Sequence, residues 1–268
     1  TNGTVVVFAS DVLFYSDVTE PGNYSFTAPT VSIPLITPII ERVYYVNDRF
    51  IALANEDGGT TSCICWSLDG ATWEVAPEDT GLLYGAIYDG SSYKFYGSTQ
   101  LIGGTPLGYE TTDFVTFTPL TVSFPGGVSF VYRSAYVPGA YLCYAFDGVN
   151  VALYSSADGE TFTAVGAANV TTFNNANNMM AVYGGYCYVI ADPLPTDASN
   201  FHIFRTANGS TWEDYATLNP TVISSLAIGA LNEVGTTAGD EWYSIFDHGS
   251  SGSIPALSTI QAGNYDFA

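Results

Sequence analysis

The serine, histidine and acidic side chains are the first candidates for catalysis, and their arrangement favours none of them. The two histidines, His202 and His248, lie in segments that alternate like ordinary β-strands. A nucleophilic serine of the α/β-hydrolase kind sits in a Gly-x-Ser-x-Gly turn between a strand and a helix, and the sequence has no such turn. We therefore predict no Ser-His-Asp catalysis.

Metal and acid-base chemistry are no better supported. The chain has 26 acidic residues, so chance carboxylate pairs are many, and no pair stands out as the acid and base of a glycoside hydrolase. A calcium loop of the Asp-x-Asp-x-Asp-Gly type is absent. The pairs Glu56-Asp57 and Asp240-Glu241 could hold a cation weakly, but solvated loop ends are the preferred interpretation. No metal and no cofactor are predicted.

The four cysteines are predicted to be buried free thiols. Cys63 and Cys65 stand two residues apart on one strand, so they share a face but splay too far for easy bridging. A zinc site would need Cys and His in closer clusters.

A seven-residue stretch recurs along the chain and organises it. Ser67-Leu68-Asp69-Gly70-Ala71-Thr72-Trp73 is repeated at residues 156–162 and 206–212, and residues 111–117 are a copy without the glycine. Asp-Gly or Asn-Gly between alternating apolar runs predicts a hairpin turn of type I′, with the leading Ser or Thr capping it. The aromatic residue that follows begins the return strand and points into the core.

The repeats predict a β-propeller. Residues 22–26 and 263–267 carry a shared variant, Gly-Asn-Tyr-x-Phe, and with these the aromatic positions recur every 44 to 53 residues. Such a period, carrying several strands per unit, is typical of propeller blades. We predict an all-β, six-bladed propeller in a single domain over residues 1–268. The structural-repeat residues are Tyr24, Asp69, Gly70, Trp73, Asp113, Phe117, Asp158, Gly159, Phe162, Asn208, Gly209, Trp212 and Tyr265.

The repeat resembles the Asp-box of sialidases and other propellers, although Asp and Gly are adjacent here and separated in that box. The resemblance implies a structural turn remote from the ligand site. A sialidase also needs an arginine triad and an Arg-Ile-Pro segment, and residues 32–34 are Ser-Ile-Pro. Of the four arginines, Arg42 and Arg133 lie at or near predicted inner strands and could reach the channel mouth, which is short of a triad. We predict that the protein is not an enzyme.

Each blade is predicted to contain strands A to D, counted outward from the axis. The second blade is the clearest, with strands at residues 41–46, 50–54, 63–67 and 72–76. The first blade has only residues 5–9, 12–17 and 24–28. A three-stranded first blade is favoured over an inner strand supplied from elsewhere.

The loops are unequal on the two faces of the predicted ring. The A–B and C–D turns are mostly two residues long, whereas the B–C loops and D–A crossovers on the other face hold most of the long insertions. Binding usually lies on loops held by a rigid scaffold, so this second face is predicted to meet partners. The candidate binding residues there, with plain loop polarity as the alternative, are Asn55, Glu56, Asp57, Gln100, Asn174, Asn175, Asn177, Asp192 and Asp197.

The charge excludes some partners. Five Lys and Arg residues against 26 acids give a net charge of −21, so clusters that would bind nucleic-acid phosphates or an anionic membrane are not expected. No signal peptide is predicted, because the first residues lack a basic segment. No membrane-spanning helix is predicted either, because the apolar run at residues 31–40 is short and holds Pro34 and Pro38.

Three functions are compatible with these features. The dense Tyr/Thr/Gly strands, scarce lysine and Ser-x-Asp-Gly-x-Thr-Trp repeat resemble propeller proteins of bacteriophage particles. That resemblance implies a virion structural protein, decorating a capsid or tail, assembled with other virion proteins and contacting the host surface or its glycans; this is the preferred prediction. The alternatives are a carbohydrate-binding propeller similar to the tachylectin type and an Asp-box glycoside hydrolase.

Overall fold

The fold is all-β in the computed structural model, which describes residues 3–9, 12–18, 27–29, 31–76, 79–100, 103–147, 151–165, 180–191, 201–218, 227–230 and 243–246. These residues form six separate antiparallel sheets, numbered here in chain order. No helix in this part of the chain is long and apolar enough to cross a membrane.

The strands follow one another along the chain and pair in that order. The first sheet contains β1 (Gly3–Ala9) and β2 (Val12–Val18). The second contains β3 (Pro38–Val46), β4 (Arg49–Glu56), β5 (Thr61–Ser67), β6 (Glu74–Val75) and β7 (Asp79–Thr80), with both β6 and β7 on β5. The third contains β8 (Leu82–Tyr88), β9 (Tyr93–Ser98), β10 (Pro106–Thr111) and β11 (Thr118–Leu120).

The next two sheets repeat the four-stranded pattern. The fourth contains β12 (Phe130–Val137), β13 (Ala140–Phe146), β14 (Val151–Ser156) and β15 (Thr163–Ala164). The fifth contains β16 (Met180–Tyr183), β17 (Tyr186–Ala191), β18 (Phe201–Thr206) and β19 (Glu213–Leu218). In the sixth, β20 (Ala227–Ala230) pairs with β21 (Tyr243–Phe246).

The hairpins between first and second strands are closed by residues suited to left-handed backbone. Asn47 and Asp48 both have positive φ, 48° and 57°, as a two-residue type I′ turn requires. Pro138-Gly139 instead combines a proline with a glycine at φ 88°, the combination found in type II turns. The chain therefore reverses within two residues at both hairpins.

The sheets pack face to face, so their middle strands are covered on both sides. In β4, Ile51 and Leu53 pack toward the third sheet, whereas Ala52 and Ala54 join Leu13 of β2 in the cluster toward the first. This double coverage explains why β4 and β9 read as nearly continuous buried runs instead of alternating. Each buried large side chain contributes about 1.5–3 kcal/mol of hydrophobic stabilisation.

The strands that begin the second to sixth sheets approach one another in sequence. β3 contacts β8, β8 contacts β12, β12 contacts β16, and β16 contacts β20. We call β3, β8, β12, β16 and β20 the inner strands. Stacked meander sheets with adjacent first strands form a β-propeller, which confirms the predicted fold class. The count of six blades stays a prediction, because most of the last predicted blade lies outside the described residues.

The first sheet is close to the predicted three-stranded form. β1 and β2 pair along their whole length, and Tyr15 of β2 forms a bridge with Thr27 on its other side. Of the predicted strand at residues 24–28, only residues 27 and 28 are described, and Thr27 forms this isolated bridge; Tyr24 lies outside the described residues. Leu13 is buried against the second sheet and anchors the pair.

The repeated stretch forms one hydrogen-bonded turn in four sheets. In the second sheet, Ser67 Oγ accepts hydrogen bonds from the backbone N–H groups of Asp69 (3.2 Å) and Gly70 (2.8 Å). Asp69 Oδ1 accepts two more, from Ala71 (2.9 Å) and Thr72 (2.7 Å). The same four bonds recur around Thr111 and Asp113, Ser156 and Asp158, and Thr206 and Asn208.

The prediction of a type I′ turn at these repeats is wrong. Gly70 has φ 77°, but Asp69 is not among the residues with positive φ, and β6 begins only at Glu74. The side chains of Ser67 and Asp69 each bind two N–H groups, which stabilises a longer loop with a single left-handed residue. The aromatic ring still packs inward, since Trp73 is buried and its Nε1 donates to the Gly70 carbonyl at 2.7 Å.

The turns also dock on the preceding sheet. Gly159, at φ 80°, lies so close to the third sheet that a Cβ there would stand 3.0 Å from the Tyr96 hydroxyl, which donates to the Gly159 carbonyl. Phe162 is buried against Tyr96, with ring centroids 5.8 Å apart. Trp212, the corresponding ring in the fifth sheet, is half-buried beside the cluster between the fourth and fifth sheets. The repeats therefore stabilise their own turns and also pack against a neighbouring blade.

The copy without glycine keeps the turn geometry with a phenylalanine. Phe114 occupies the position of Gly70 and has φ 59°, a conformation that is strained for a residue with a Cβ. Its ring is buried between the second and third sheets, 5.2 Å from Trp66 and 4.6 Å from Tyr93. Phe117, predicted as the main core ring of this copy, is only half-buried.

The cysteines are buried free thiols, as predicted. Cys63 and Cys65 face the first sheet with their Sγ atoms 3.8 Å apart.

Candidate functional site

The predicted loop-face residues fall into three groups. Asn174, Asn175, Asn177, Asp192 and Asp197 lie outside the described residues. Asp57 and Gln100 are exposed in the loops after β4 and β9, and Glu56 is half-buried at the end of β4. Glu56 and Asp57 adjoin each other, and no hydrogen bond or ion pair among the described residues links them to Gln100.

Asn55 was predicted on the loop face and requires a correction. It lies within β4, is 2% exposed, and uses its amide on the next blade. Its Nδ2 donates to the Leu83 carbonyl (3.2 Å) and its Oδ1 accepts from the Leu83 N–H (3.0 Å). The side-chain amide of Asn55 thus pairs with both backbone polar groups of Leu83, as the backbone of a neighbouring strand would. Asn55 therefore joins the second and third sheets and presents nothing to a ligand.

A different arrangement stands out on three consecutive inner strands. β3, β8 and β12 each carry a β-bulge, with Glu41, Tyr84 and Tyr132 as the respective extra residues. Bulges bend a strand, re-aim its side chains and are common at functional sites. The residues that follow them are Arg42, Gly85 and Arg133, so the bulges set these three positions at corresponding places on adjacent strands.

The glycine between the two arginine positions allows close approach of the fourth sheet. A Cβ on Gly85 would stand 3.0 Å from Ser134 Cβ and closer still to Ser134 Oγ, so no larger residue fits without a shift. Ser134 Oγ is buried and has no hydrogen-bond partner in the described part of the chain. Gly85 thus lets the Ser134 side chain of β12 pack directly against the backbone of β8.

Arg42 and Arg133 are half-buried and form no ion pair with the residues that the structure describes. Arg42 Nη1 donates to the Glu41 carbonyl at 2.7 Å, but its Nε is buried without an acceptor. No carboxylate oxygen of a described residue lies within the 4.0 Å ion-pair limit of either guanidinium. Burial lowers the pKa of Arg133, and the positive charge of Arg42 lowers it further.

Aromatic side chains complete this site. The Tyr44 hydroxyl donates to the Tyr84 carbonyl, which ties β3 to β8. Burial raises the pKa of Tyr44, while the charges of Arg133 and Arg42 oppose the rise. Phe130 packs on Tyr84 at 4.5 Å and on Tyr132 at 4.6 Å between ring centroids. We call Arg42, Tyr44, Tyr84, Tyr132 and Arg133 the inner-strand cluster.

The other three basic residues have aromatic or acidic partners. Arg49 stacks over Trp66, 4.7 Å from the ring centroid. Arg205 binds Glu213 at 2.8 Å and stacks over Tyr215. Lys94 is 6% exposed and pairs with two carboxylates. In a chain of net charge −21, three cations form no ion pair with a described residue: Arg49, which stacks on Trp66, and the two arginines of the inner-strand cluster.

Lys94 is the centre of a second polar cluster, which the sequence did not reveal. Its Nζ pairs with Glu110 and lies 3.3 Å from Asp89 Oδ2. Asp89 Oδ2 also accepts from the Tyr141 hydroxyl of the fourth sheet at 2.7 Å. Burial opposes its ionisation, but the hydrogen bonds from Tyr141, Ser91 and Ser92 outweigh it and hold the pKa of Asp89 well below its usual range. This cluster is satisfied internally, so we interpret it as structural.

Sequence reasoning noted Arg42 and Arg133 but did not find the rest of the inner-strand cluster. The bulges depend on pairing between strands and leave no local pattern, so Tyr84, Tyr132 and Gly85 could not be selected. The described residues contain no group of three or more His, Cys, Asp or Glu side chains arranged to hold a metal ion.

Solved structures with the same fold were found by comparison. The structure of YCF48 bound to D1 peptide matches with a TM-score of 0.54 and 14% identity, over 91% of this chain and 72% of that one. The nidogen/laminin complex matches with a TM-score of 0.53 and 13% identity, over 91% and 86%. At such identities the likeness establishes a β-propeller fold alone. No protein-family model and no curated protein matches the chain. The Asp-box and bacteriophage resemblances remain predictions.

Proposed function

We propose that this protein is a non-enzymatic binding propeller whose partner is another protein. The observation that carries the proposal is the inner-strand cluster, where Arg42 and Arg133 follow bulges at corresponding places on the inner strands and form no ion pair with a described residue. Buried or half-buried arginines that lack internal partners are typical of surfaces that receive an anionic group from outside. The two similar propellers, YCF48 with D1 peptide and nidogen with laminin, were each solved in complexes, which is consistent with this role.

We further propose that the setting is a virion, where the chain serves as a structural protein of the capsid or tail and contacts the host surface. The support is compositional. Only five Lys and Arg residues occur in 268, and the repeated Ser-x-Asp-Gly-x-Thr-Trp turn resembles that of bacteriophage propellers. A net charge of −21 favours a soluble, mutually repelling surface over nucleic-acid binding.

Immunogold electron microscopy of particles from the native source tests this setting. An antibody against the chain should label intact particles at a fixed position and should co-sediment with them. If the chain is found only as free protein while particles carry no label, the virion role is wrong.

Binding assays on the purified chain separate the alternatives. A protein-binding propeller should bind a purified particle protein, whereas binding to a glycan array that free sugar inhibits would indicate the lectin-like alternative. Release of label from a glycan substrate would indicate the glycoside hydrolase, and we expect none.

A further inference from the structure

Two large apolar side chains are exposed on the repeated turns of the second and third sheets. Leu68 is 64% exposed at the second position of its copy of the repeat, and Val115 is 76% exposed at the fifth position of its copy. In the fourth and fifth sheets the same two positions hold small or polar residues, which are Ala157, Glu160, Ala207 and Ser210. The turn itself therefore requires no large apolar residue at either position.

An arginine lies across two aromatic rings at this junction of the second and third sheets. The guanidinium carbon of Arg49 is 4.7 Å from the ring centroid of Trp66 and 5.4 Å from that of Phe114. The two ring centroids are 5.2 Å apart. Leu68 follows Trp66 by two residues and Val115 follows Phe114 directly, so both exposed side chains flank the stack. We call Arg49, Trp66, Leu68, Phe114 and Val115 the turn patch.

The turn patch is held in one conformation before any partner arrives. Phe114 keeps a left-handed backbone, at φ 59°, where the other three described copies of the repeat have glycine, and its buried ring supports Arg49. Backbone strain that persists in this way is a reason to look for function. Rigid aromatic and arginine side chains lose little freedom on binding, and these residue types dominate the energetics of protein interfaces.

Exposed acids surround the turn patch and indicate the charge of its partner. Asp69 and Asp113 belong to the same two turns, and Glu74 stands opposite Trp66 on β6. Hydrogen bonds from backbone N–H groups lower the pKa of Asp69 and of Asp113, so both are ionised at neutral pH. Three acids against one arginine make the surroundings negative, in a chain of net charge −21. Cationic side chains on a partner are therefore favoured and acidic ones opposed.

We propose that the turn patch is an interaction surface for a protein segment that carries apolar side chains flanked by lysine or arginine. The apolar side chains cover Leu68 and Val115, while the flanking cations lie near Asp69 and Asp113. The free edge of the Arg49 guanidinium is suited to donate to a backbone carbonyl of the segment. This surface goes beyond the proposed function, which rests on the inner-strand cluster, and it lies at the end of the second sheet that carries the Asn47-Asp48 hairpin.

Three short peptides with blocked ends test the apolar and the charge requirement separately. Lys-Leu-Pro-Leu-Lys has the chemistry of the proposed segment. Glu-Leu-Pro-Leu-Glu reverses its charge, and Lys-Ser-Pro-Ser-Lys removes its apolar side chains. The chain contains four tryptophans, so protein labelled with fluorotryptophan gives at most four fluorine NMR signals, and the variant W66F identifies the signal of Trp66.

The lysine–leucine peptide should shift the Trp66 signal saturably and should bind about tenfold more tightly than either comparison peptide. L68A and V115S should each weaken its binding by about threefold to tenfold, because they remove apolar surface that the peptide covers. Both changes should leave the turns folded, since the chain itself has alanine or serine at these positions in other copies. V182A removes an exposed apolar side chain on β16 and should leave the affinity unchanged.

The charge requirement has its own matched variants. Asn208 holds the position of Asp69 and Asp113 in the turn of the fifth sheet, so the double variant D69N/D113N should keep both turns. It should weaken binding of the lysine–leucine peptide by about threefold and make the affinity less dependent on salt concentration. D158N makes the same change in the fourth sheet and should leave the affinity unchanged.

The inference is overturned if the lysine–leucine peptide does not move the Trp66 signal, or if the three peptides bind alike. It is equally overturned if V182A and D158N weaken binding as much as the variants of the turn patch do. A failure of the proposed function, seen as no binding of a purified particle protein, would leave the response of Trp66 to this peptide in place, so the two failures are distinguishable.

Discussion

At position 114, a glycine variant should be more stable than an alanine variant, which is the reverse of the usual order for these two residues. Phe114 takes the turn position that glycine holds in the other three described copies, at φ 59°. A residue with a Cβ loses about 1–2 kcal/mol in this left-handed conformation. Alanine keeps that strain, whereas glycine does not.

The expected size follows from the two opposing effects. Loss of a buried phenylalanine ring destabilises a protein by about 3–5 kcal/mol, and the Phe114 ring contacts Trp66 and Tyr93 in a well-packed interface. F114A should therefore lose about 3–5 kcal/mol. F114G loses the same contacts but regains about 1 kcal/mol of strain, so it should be the more stable of the two. For a chain of this size that difference corresponds to about 2–4 °C in Tm.

Differential scanning calorimetry of both variants measures the order directly, and Val115 provides the control. Val115 is 76% exposed and is not among the residues with positive φ, so V115A should be more stable than V115G by about 0.5–1 kcal/mol. If F114A proves as stable as F114G or more stable, the assignment of backbone strain to this turn is refuted.

Three further predictions concern contacts between the sheets and within the turns. N55A should lower the free energy of unfolding, measured by chemical denaturation, by about 3 kcal/mol, because it leaves the N–H and carbonyl of Leu83 unpaired. The exposed control Q100A should lose about 0.5 kcal/mol, and a loss no greater than this for N55A would contradict the prediction. K94M should lower the free energy of unfolding by about 2 kcal/mol, because it leaves Asp89 and Glu110 beside each other without a cation. The double variant K94M/E110Q should recover part of that loss, and additive losses would show that the cluster is not coupled. Hydrogen bonds from the Ser156 hydroxyl and from backbone N–H groups lower the pKa of Asp158 to about 2, below its unfolded value near 3.9, so its stabilisation is present above pH 4 and lost toward pH 2. D158N should keep the turn, as Asn208 does, and flatten the fall of Tm with pH in that window; an unchanged pH profile would count against the pKa assignment.

The features set by neighbouring residues were predictable from the sequence. The alternating strands, the Asn47-Asp48 hairpin and the four repeated turns follow from local periodicity and turn chemistry, and together they gave the propeller fold. The turn type was wrong because the side chains of Ser67 and Asp69 capture N–H groups that a two-residue hairpin would leave to its strands. Such competition between side chains and the strand ladder is not visible in a simple Asp-Gly pattern.

The features set by contacts between blades were not predictable. Asn55 looks like a polar loop residue in the sequence, and only its position opposite Leu83 of the next sheet makes it structural. The bulges at Glu41, Tyr84 and Tyr132 depend on how each inner strand pairs with the second strand of its sheet. The inner-strand cluster, which combines them, could therefore be found only from the assembled fold.

Titration calorimetry of the purified protein with a purified particle protein would test the proposed binding function most directly. The account predicts saturable binding that R42Q and R133Q weaken and that R205Q, on the fifth sheet, leaves unchanged. No binding, or binding that all three variants leave unchanged, would contradict it.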